Sequence, residues 1–341
     1  MATASQSGKP SPERIFSTLN AYQQAEALRA AIQLDMFTKI GEGAEEAGAL
    51  AKAIGASERG TRILADYLTI QGFLGKEGTH YKLTAESGLF LDKRSPAYMG
   101  AMAGFLGAPH HKQNFANLTE IVRKGGTLAK EGSNLEPHDE FWVDFARSMG
   151  GLATLGAQFI AGLIGGMSGA APVKVLDIAA GHGMFGLMIA KQNPAAQIVA
   201  LDWPNVLAVA EENAKKFGVS ERWTKKPGSA FETEYGDGYD YILLTNILHH
   251  FDHAGCVALM KRVHAALKPG GKAITLEFVP NPDRVSPAVP AAFSMVMLAN
   301  TDGGDAYTLA EFEKIFGEAG FTGTVAHPIA EMPQTVLVSE K

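Results

Sequence analysis

Apolar residues in the first quarter of the chain recur at helical spacing. Between Ile15 and Phe37 they stand three or four residues apart, which predicts one amphipathic helix. Similar patterns predict helices from Ala44 to Ile54 and from Ser57 to Phe73, with Ser57 as the N-cap. Gly75 to Thr84 contains two short strand-like runs around a glycine turn. Helices followed by such a hairpin predict a winged-helix domain.

In the second half of the chain, short apolar runs alternate with helical patterns. Asn205 to Phe217 and Ala254 to Leu267 have helical spacing, and each lies between two apolar runs. This alternation predicts a doubly wound, Rossmann-like α/β sheet, in which ligands bind beyond the carboxyl ends of the strands. The predicted strands are Val173 to Ile178, Gln197 to Leu201, Tyr239 to Leu244 and Lys272 to Phe278.

The pattern divides the chain into four regions. Residues 1–12 are polar and predict a disordered tail, and residues 13–97 contain the predicted winged helix. Residues 98–170 predict a helical connector whose Phe, Met and His side chains belong either to the core or to an apolar pocket over a ligand. Residues 171–341 form the predicted α/β domain, where we expect the ligand site.

Composition narrows the function classes. A chain of 341 residues suits two domains, and 46% hydrophobic with 19% charged residues is typical of a globular enzyme. A net charge of -6 argues against nucleic acid as a partner. The single cysteine, Cys256, excludes an intramolecular disulfide and fits a reducing compartment. Since no apolar run reaches the length of a membrane span, we expect a cytoplasmic protein that does not bind membranes.

Winged helices often bind DNA, so a DNA-binding regulator is one alternative. Residues 1–95 contain equal numbers of basic and acidic side chains, and the third predicted helix carries Glu58 and Asp66 against Arg59 and Arg62. A helix without a basic face lacks the phosphate contacts that dominate DNA affinity. The apolar face of the first predicted helix instead indicates packing against a partner subunit.

The segment from Val173 to Gly186 predicts a strand, a tight glycine turn and a helix. Gly181 and Gly183 let a bulky ligand approach the backbone and leave N–H groups free to bind it. Asp202 ends the next strand, where a carboxylate can accept both hydrogen bonds of a ribose diol. These residues together predict a nucleoside-binding site.

NAD and S-adenosylmethionine both present a ribose to such a site. Gly181, Gly183 and Gly186 have the G-x-G-x-x-G spacing of dinucleotide-binding proteins, so the glycines alone leave both ligands open. Asp177 stands four residues before Gly181, in a position suited to an ammonium group. It would repel a diphosphate by several kcal/mol at about 5 Å and an effective dielectric of about 20. The acid therefore favours a cationic sulfonium amino acid.

Paired histidines follow the third predicted strand. Because imidazole has an ordinary pKa of about 6.5, His249 or His250 is a candidate general base near neutral pH. Glu277 ends the last predicted strand and could orient the base through its other ring nitrogen, with Asp252 and Asp302 as alternatives. Adjacent histidines point apart and no spacing matches a zinc motif, so we expect no metal.

With these motifs the chain resembles the small-molecule O-methyltransferases of the caffeic acid and acetylserotonin type, including their bacterial antibiotic-pathway relatives. The resemblance covers nearly the whole chain, and the motifs are specific in this order and spacing. They are Phe145-Ala-Arg-Ser-Met149, Val175-Leu-Asp-Ile-Ala-Ala-Gly-His-Gly183, Leu201-Asp-Trp-Pro204, Gly228-Ser-Ala-Phe231, Ile247-Leu-His-His-Phe251, Leu267-Lys-Pro-Gly-Gly271 and Glu277.

The resemblance implies a homodimer through the N-terminal domain, S-adenosylmethionine as methyl donor and S-adenosylhomocysteine as product. It implies transfer to a hydroxyl of a small, often aromatic acceptor, with His249 as general base and Glu277 as the acid that supports it. The donor-binding residues expected here, with Asp177 included for its charge, are Asp177, Ala179, Gly181, Gly183, Asp202, Trp203, Ser229, Ala230, Phe231 and Asn246. The expected acceptor-pocket residues are Phe145, Met149, His250, Phe293, Met297 and Asn300.

One departure from the family pattern bears on the chemistry. The second supporting acid of the plant enzymes aligns with Ala306, between Asp305 and Tyr307. If neither neighbour substitutes, His249 is held less firmly, which keeps open hydroxylation, decarboxylation or rearrangement on the same fold. The other departures are Ala179 in place of Gly, Ser229 in place of Asp, Thr245 in place of Lys and His250 in place of Asp.

Overall fold

The computed structural model describes residues 10–107, 109–129, 140–330 and 332–341. Residues 1–9 of the predicted tail and residues 130–139 of the predicted connector lie outside the described residues. The chain divides into two compact units, Met1–Gly107 and Ala108–Lys341. The domain boundaries expected at residues 97 and 170 stay predictions.

The first unit begins with a segment that the sequence predicts as a single helix, and this prediction is wrong. The segment is interrupted at Asn20, whose side-chain amide donates to the Phe16 carbonyl at 2.9 Å, and at Asp35, which has a left-handed φ of 59°. Short polar side chains compete for backbone hydrogen bonds and tolerate left-handed backbone, so Asn and Asp end helices readily. The resulting helices are α1 (Glu13–Leu19), α2 (Ala21–Gln33) and α3 (Met36–Gly41).

The rest of the first unit contains the predicted helices and hairpin. Ser57 caps its helix as predicted, because its hydroxyl accepts the Gly60 N–H at 3.2 Å. The two hairpin strands pair antiparallel, with Leu74 opposite Leu83. The elements are α4 (Ala47–Ile54), α5 (Glu58–Ile70), β1 (Leu74–Glu77), β2 (His80–Leu83), α6 (Ala85–Phe90) and α7 (Met102–Leu106).

A mixed seven-stranded sheet forms the centre of the second unit. Its strands are β3 (Lys174–Ile178), β4 (Gln197–Asp202), β5 (Trp223–Pro227), β6 (Tyr239–Thr245), β7 (Leu267–Glu277), β8 (Thr322–Pro328) and β9 (Thr335–Glu340). Their spatial order is β5-β4-β3-β6-β7-β9-β8. The first five are parallel, and β9 pairs antiparallel with β7 and β8. The predicted α/β class is confirmed, although the sequence pattern misses β5, β8 and β9.

Helices cover both faces of this sheet, as a doubly wound fold requires. Side chains alternate along a strand, so Val175 joins one hydrophobic core with Ile160 and Leu187, while Leu176 joins another with Leu259 and Phe312. The helices of this unit are α8 (Pro109–Ala116), α9 (Leu118–Lys124), α10 (Glu140–Met149), α11 (Ala153–Ser168), α12 (Met184–Gln192), α13 (Pro204–Phe217), α14 (His253–Ala266), α15 (Ala288–Asn300) and α16 (Leu309–Glu318).

The most apolar stretch of the chain forms α11, which packs on the sheet through Ala157, Ile160 and Ile164. Over the residues described, no single helix is long and apolar enough to cross a membrane. Helices α10 and α11 reach that length and composition only as a pair bent by 75°.

Candidate active site

The turn between β3 and α12 has a left-handed backbone that glycine adopts easily. Gly181 and Gly183 have φ values of 55° and 75°, and Ala179 has a φ of 54°. Such a φ costs alanine about 1 kcal/mol because its β-carbon crowds the backbone. At Gly186, a β-carbon would come within 2.7 Å of a β4 side chain and 3.2 Å of Asp177 Oδ2. Gly186 therefore packs the helix on the sheet, while the other two glycines shape the turn.

Two carboxyl groups lie beside this turn, one near the carboxyl end of β3 and one at the carboxyl end of β4. Asp177 is 0% exposed, and its Oδ2 accepts the Gly186 N–H at 3.1 Å. The other oxygen of Asp177, Oδ1, is buried and has no hydrogen-bond partner within the described part of the chain. Asp202 accepts two backbone N–H groups, that of Gly181 at Oδ2 at 2.8 Å and that of Trp203 at Oδ1 at 2.7 Å. Asp202 therefore holds the glycine turn beside its own carboxylate.

Burial disfavours the charged form of both acids. It raises the pKa of Asp177 to about 7, with the charge of Asp202 adding to the effect, and it raises the pKa of Asp202 to about 6. Neither acid has a Lys, Arg or His partner among the residues that the structure describes. Buried acids that lack a cation fit a cationic ligand and disfavour a diphosphate. Because no surface of Asp177 is exposed, we expect Asp177 to influence a ligand through its charge. Asp202 is partly exposed, so we expect it to contact the ligand directly.

The segment after β5 lies next to Asp202. The Gly228 N–H donates to the Asp202 carbonyl at 3.0 Å, and the Ser229 hydroxyl accepts the Phe231 N–H at 3.1 Å. The ring of Phe231 meets that of Phe251 edge-on at 4.8 Å between centroids. Ser229, Ala230 and Phe231 therefore form one wall beyond the ends of β4 and β5.

Trp203 lies on the other side of Asp202, at the start of α13. It packs with Val206, Val209 and Ala146 in a small apolar cluster that joins α13 to α10. Its partial burial leaves part of the indole surface available to a ligand. A flat aromatic surface beside Asp202 suits the stacking of a nucleobase.

His249 meets Glu277 where β6 and β7 end. The Nδ1 atom of His249 lies 2.5 Å from Glu277 Oε2, and both side chains are buried. The other carboxylate oxygen accepts the N–H groups of Ile247 at 3.0 Å and Leu248 at 2.8 Å. A carboxylate placed at Nδ1 fixes the tautomer in which Nδ1 carries the proton and Nε2 keeps a lone pair. The pair can therefore remove a proton from a group that approaches Nε2.

Aromatic rings surround the two histidines. The Phe293 ring meets His249 edge-on at 4.9 Å and stacks on Phe278 at 4.1 Å, while Trp142 meets His250 edge-on at 5.6 Å. Burial holds the pKa of His250 well below its ordinary value, with His249 adding to the effect, so His250 is neutral. The Nδ1 atom of His250 is buried and has no hydrogen-bond partner in the ranges that the structure describes. The rings form an apolar surface beside the candidate base.

The structure brings some of the expected acceptor residues together. Trp142 links them, because its ring contacts both Phe145 at 5.6 Å and His250. Met297 and Asn300 share a helix face with Phe293 by their spacing, and Asn300 accepts a hydrogen bond from the Asn114 amide at 2.9 Å. Met149 is partly exposed at the end of α10. A common pocket for all six residues stays a prediction.

Among the described residues, Glu277 is the acid that contacts His249, and no second acid joins it. Ala306 is buried, the Tyr307 hydroxyl donates to the Phe251 carbonyl at 2.7 Å, and Asp305 pairs with Arg284 at 3.0 Å. Neither neighbour therefore substitutes for the missing acid. The two alternative acids are also engaged elsewhere, because Asp252 caps α14 and Asp302 lies 3.2 Å from Lys124 Nζ.

Two residues near the site, Phe278 and Gln334, are not among the site residues predicted from the sequence. Phe278 stacks on Phe293, and its position directly after Glu277 is a signal that could have been used. Gln334 donates from Nε2 to Asn246 Oδ1 at 2.7 Å, across 88 positions of sequence. No local pattern indicates a contact of that kind, because it depends on how β9 enters the sheet.

The described ranges contain no group of three or more His, Cys, Asp and Glu side chains that could hold a metal ion.

Comparison with known proteins assigns the class. Residues 165–322 match the O-methyltransferase domain model, and residues 16–93 match the O-methyltransferase dimerisation domain model. A solved structure from Nostoc punctiforme, provisionally named an O-methyltransferase, has 45% identity and a TM-score of 0.94, covering 98% of this chain and 100% of that one. The chain therefore belongs to the O-methyltransferase family, which confirms the resemblance, the fold and the enzyme class.

Two further relatives are similar over nearly their whole length. The tetracenomycin polyketide synthesis 8-O-methyl transferase TcmO of Streptomyces glaucescens is 26% identical over 97% of both chains. The structure of PigF with S-adenosylhomocysteine has a TM-score of 0.85 and 25% identity, covering 97% of this chain and 100% of that one. PigF comes from a Serratia species and is named an S-adenosylmethionine-dependent methyl transferase. The expected donor is thereby confirmed at the level of the family.

Proposed function

We propose that the chain transfers the methyl group of S-adenosylmethionine to a hydroxyl of a small aromatic acceptor, with His249 as general base. One observation carries the proposal. The His249–Glu277 pair lies at the carboxyl ends of the parallel strands, and so do Asp177 and Asp202, two buried acids with no cationic partner among the described residues. Family membership favours this reaction over a DNA-binding regulator and over non-methylating chemistry.

Each part of the donor is assigned to residues of the chain. We assign the ribose hydroxyls to the Asp202 carboxylate, which can accept further hydrogen bonds beside the two that it accepts from the backbone. The buried charge of Asp177 favours the cationic end of the donor. Trp203 and the wall of Ser229, Ala230 and Phe231 enclose the adenine. The turn residues Ala179, Gly181 and Gly183 lie along the donor, with Asn246 beside them.

The reaction needs a proton acceptor at the acceptor hydroxyl. When bound, S-adenosylmethionine supplies a methyl group on a cationic sulfur. The His249 Nε2 lone pair takes the hydroxyl proton as the oxygen–carbon bond forms and the sulfur–carbon bond breaks. Glu277 holds the imidazole in orientation and stabilises its charged form through the contact at Nδ1. In well-oriented pairs of reactants, placement alone can lower the barrier by about 7–11 kcal/mol.

The surroundings of His249 support an aromatic acceptor. Phe293, Phe278 and Trp142 present ring surfaces, and His250 is neutral. Aromatic pairs prefer offset or edge-on contacts at about 4.5–7 Å, so a planar ring would pack well against these side chains. A neutral His250 adds a hydrogen-bonding group without adding charge.

The proposed reaction is tested with methyl-labelled S-adenosylmethionine and two matched panels of acceptors. One panel contains phenols, and the other contains the same rings with each hydroxyl already methylated. We expect equal amounts of S-adenosylhomocysteine and labelled methyl ether from at least one phenol, and no product from its methylated counterpart. Label on a ring carbon or an amine, or label lost from the product, would contradict transfer to oxygen.

We also propose that the chain is a homodimer. Residues 16–93 match the dimerisation domain model. The first unit has four large apolar side chains at its start that are each 61–68% exposed, namely Ile15, Phe16, Leu19 and Tyr22. Such an apolar surface is costly in water and suits a second copy.

Light scattering tests this proposal, and a mass of two chains is expected. Leu19→Glu should weaken the dimer by about tenfold or more, because a charge would be buried in an apolar interface. Lys52→Glu changes an exposed side chain of the same unit and should leave the dimer intact. A wild-type mass of one chain at micromolar concentration would rule out the dimer.

A further inference from the structure

Asn246 and His250 differ from their neighbours along the chain. From Tyr241 to His250 every side chain is buried except these two, which keep partial exposure on either side of the buried His249. Asn246 directly follows β6 and has a left-handed φ of 56°, while its backbone N–H donates to the Leu276 carbonyl at 2.9 Å. The backbone N–H of Asn246 is thus occupied, which leaves the side-chain amide as the group that can contact a ligand.

That amide is held in one orientation by Gln334. The Gln334 Nε2 atom donates to Asn246 Oδ1 at 2.7 Å. Gln334 immediately precedes β9, whose first residue Thr335 lies opposite Glu277 on β7. The antiparallel strand therefore brings Gln334 to the edge where the donor and the base are proposed to meet. Among the residues the structure describes, the Asn246 NH₂ group has no protein acceptor.

An asparagine side chain has an acceptor at one end and two donors at the other. When Gln334 occupies the acceptor end, the NH₂ group is the part left for a ligand. S-adenosylmethionine offers several hydrogen-bond acceptors, including carboxylate oxygens, ribose oxygens and ring nitrogens. An NH₂ group suits each of these, whereas an amide oxygen in the same place would repel them.

We propose that Gln334 is a positioning residue that fixes the Asn246 amide with its NH₂ group toward the methyl donor. This inference rests on the proposed function, in which Asn246 contacts the donor. It assigns a role in donor binding to a residue outside the sequence motifs of the site. It also predicts that Gln334 acts only through Asn246.

The test measures S-adenosylhomocysteine affinity by calorimetric titration for wild type, Gln334→Ala, Gln334→Glu, Asn246→Ala and the Asn246→Ala/Gln334→Ala double variant. Gln334→Ala should weaken binding by about tenfold, since an oriented hydrogen bond is lost. Gln334→Glu should weaken it at least as much, because a carboxylate accepts from the Asn246 NH₂ group and turns the amide oxygen toward the ligand. The double variant should bind no worse than Asn246→Ala. For the two single Gln334 variants, turnover at saturating donor should stay within about twofold, so the loss is in KM and not in kcat.

Gln197→Glu is the matched control, since it makes the same substitution at an exposed position at the opposite end of β4. Melting temperatures of all variants exclude unfolding. Wild-type affinity in Gln334→Glu, or an additional loss in the double variant, would overturn the positioning role. Wild-type affinity in Asn246→Ala would instead overturn the proposed contact between Asn246 and the donor, and the inference with it.

Discussion

Replacing His249 with alanine should lower kcat by about 10²- to 10⁴-fold while donor affinity stays within about twofold of wild type. The variant loses the Nε2 lone pair that takes the acceptor proton. The hydrogen bonds of the proposed donor-binding residues Asp177 and Asp202 are made with other groups, so they should stay intact when His249 is replaced. Initial rates at saturating substrates give kcat, and titration with S-adenosylhomocysteine gives the affinity.

His253→Ala is the matched control, since this partly exposed histidine on α14 pairs with Glu318 at 3.0 Å and should leave both quantities unchanged. Raising the pH toward the phenol pKa of about 10 should restore part of the lost turnover, because the acceptor then ionises without a base. Such recovery separates a lost base from a damaged fold. Wild-type turnover in His249→Ala would eliminate His249 as the base.

Much of the fold follows from patterns within short segments. The strands β3, β4 and β6 lie within one residue of their predicted bounds, because buried parallel strands are continuous apolar runs that the sequence displays directly. β7 begins at Leu267, five residues before its predicted start at Lys272. β5 is harder to recognise, since it is an edge strand in which the consecutive Thr224 and Lys225 side chains are exposed. The breaks at Asn20 and Asp35 are also missed, because apolar spacing continues through them while the backbone does not.

Site residues near strand ends could also be predicted, whereas contacts between distant segments could not. The glycine turn directly follows β3 and Asp202 ends β4, and the carboxyl ends of parallel strands lie on the same side of the sheet. His249 and Glu277 could be paired for that reason as well. Gln334 could not, because its contact with Asn246 depends on the antiparallel register of β9, which no turn or motif fixes in the sequence. The burial of Asp177 also depends on packing by α12, so its lack of exposed surface appears only in the structure.

The two buried acids connect the stability of the fold to donor binding. A carboxyl whose pKa is raised in the folded protein stabilises the fold fully below its ordinary pKa of about 4, and this contribution is lost as the pH rises through the folded value. For Asp202 and Asp177 that loss occurs up to pH values of about 6 and about 7. A bound cation compensates the charges that form, so donor binding should stabilise the protein most at neutral pH and above. At neutral pH and above, the ionised forms of Asp177 and Asp202 should therefore lower the free energy of unfolding, and a bound cationic ligand should raise it again.

Asp202→Ala should weaken S-adenosylmethionine binding by about 100-fold at pH 8, because the ribose diol loses its charged acceptor. The variant also leaves the Gly181 and Trp203 N–H groups without their carboxylate, which loosens the turn along the donor. Wild-type affinity should fall as the pH is lowered through 7 and then 6, since protons on Asp177 and Asp202 compete with the cationic donor. In the variant this fall should be smaller. Its midpoint should lie below that of Asp177 in wild type, because burial still raises the Asp177 pKa but the added effect of the Asp202 charge is gone. Titration across pH 5.5 to 8 measures both effects.

Asp237→Ala serves as control, since this exposed acid precedes β6 at the opposite edge of the sheet and should change neither the affinity nor its pH dependence. The affinity at pH 8 reports the contact between Asp202 and the ribose, and the pH dependence of the affinity reports the effect of the Asp202 charge on the cation. A weakened variant with the wild-type pH profile would mean that Asp202 binds the ribose but that its charge does not attract the cation. An affinity at pH 8 equal to wild type would refute the ribose contact itself, because an unpaired buried diol cannot bind as tightly as one that donates to a carboxylate.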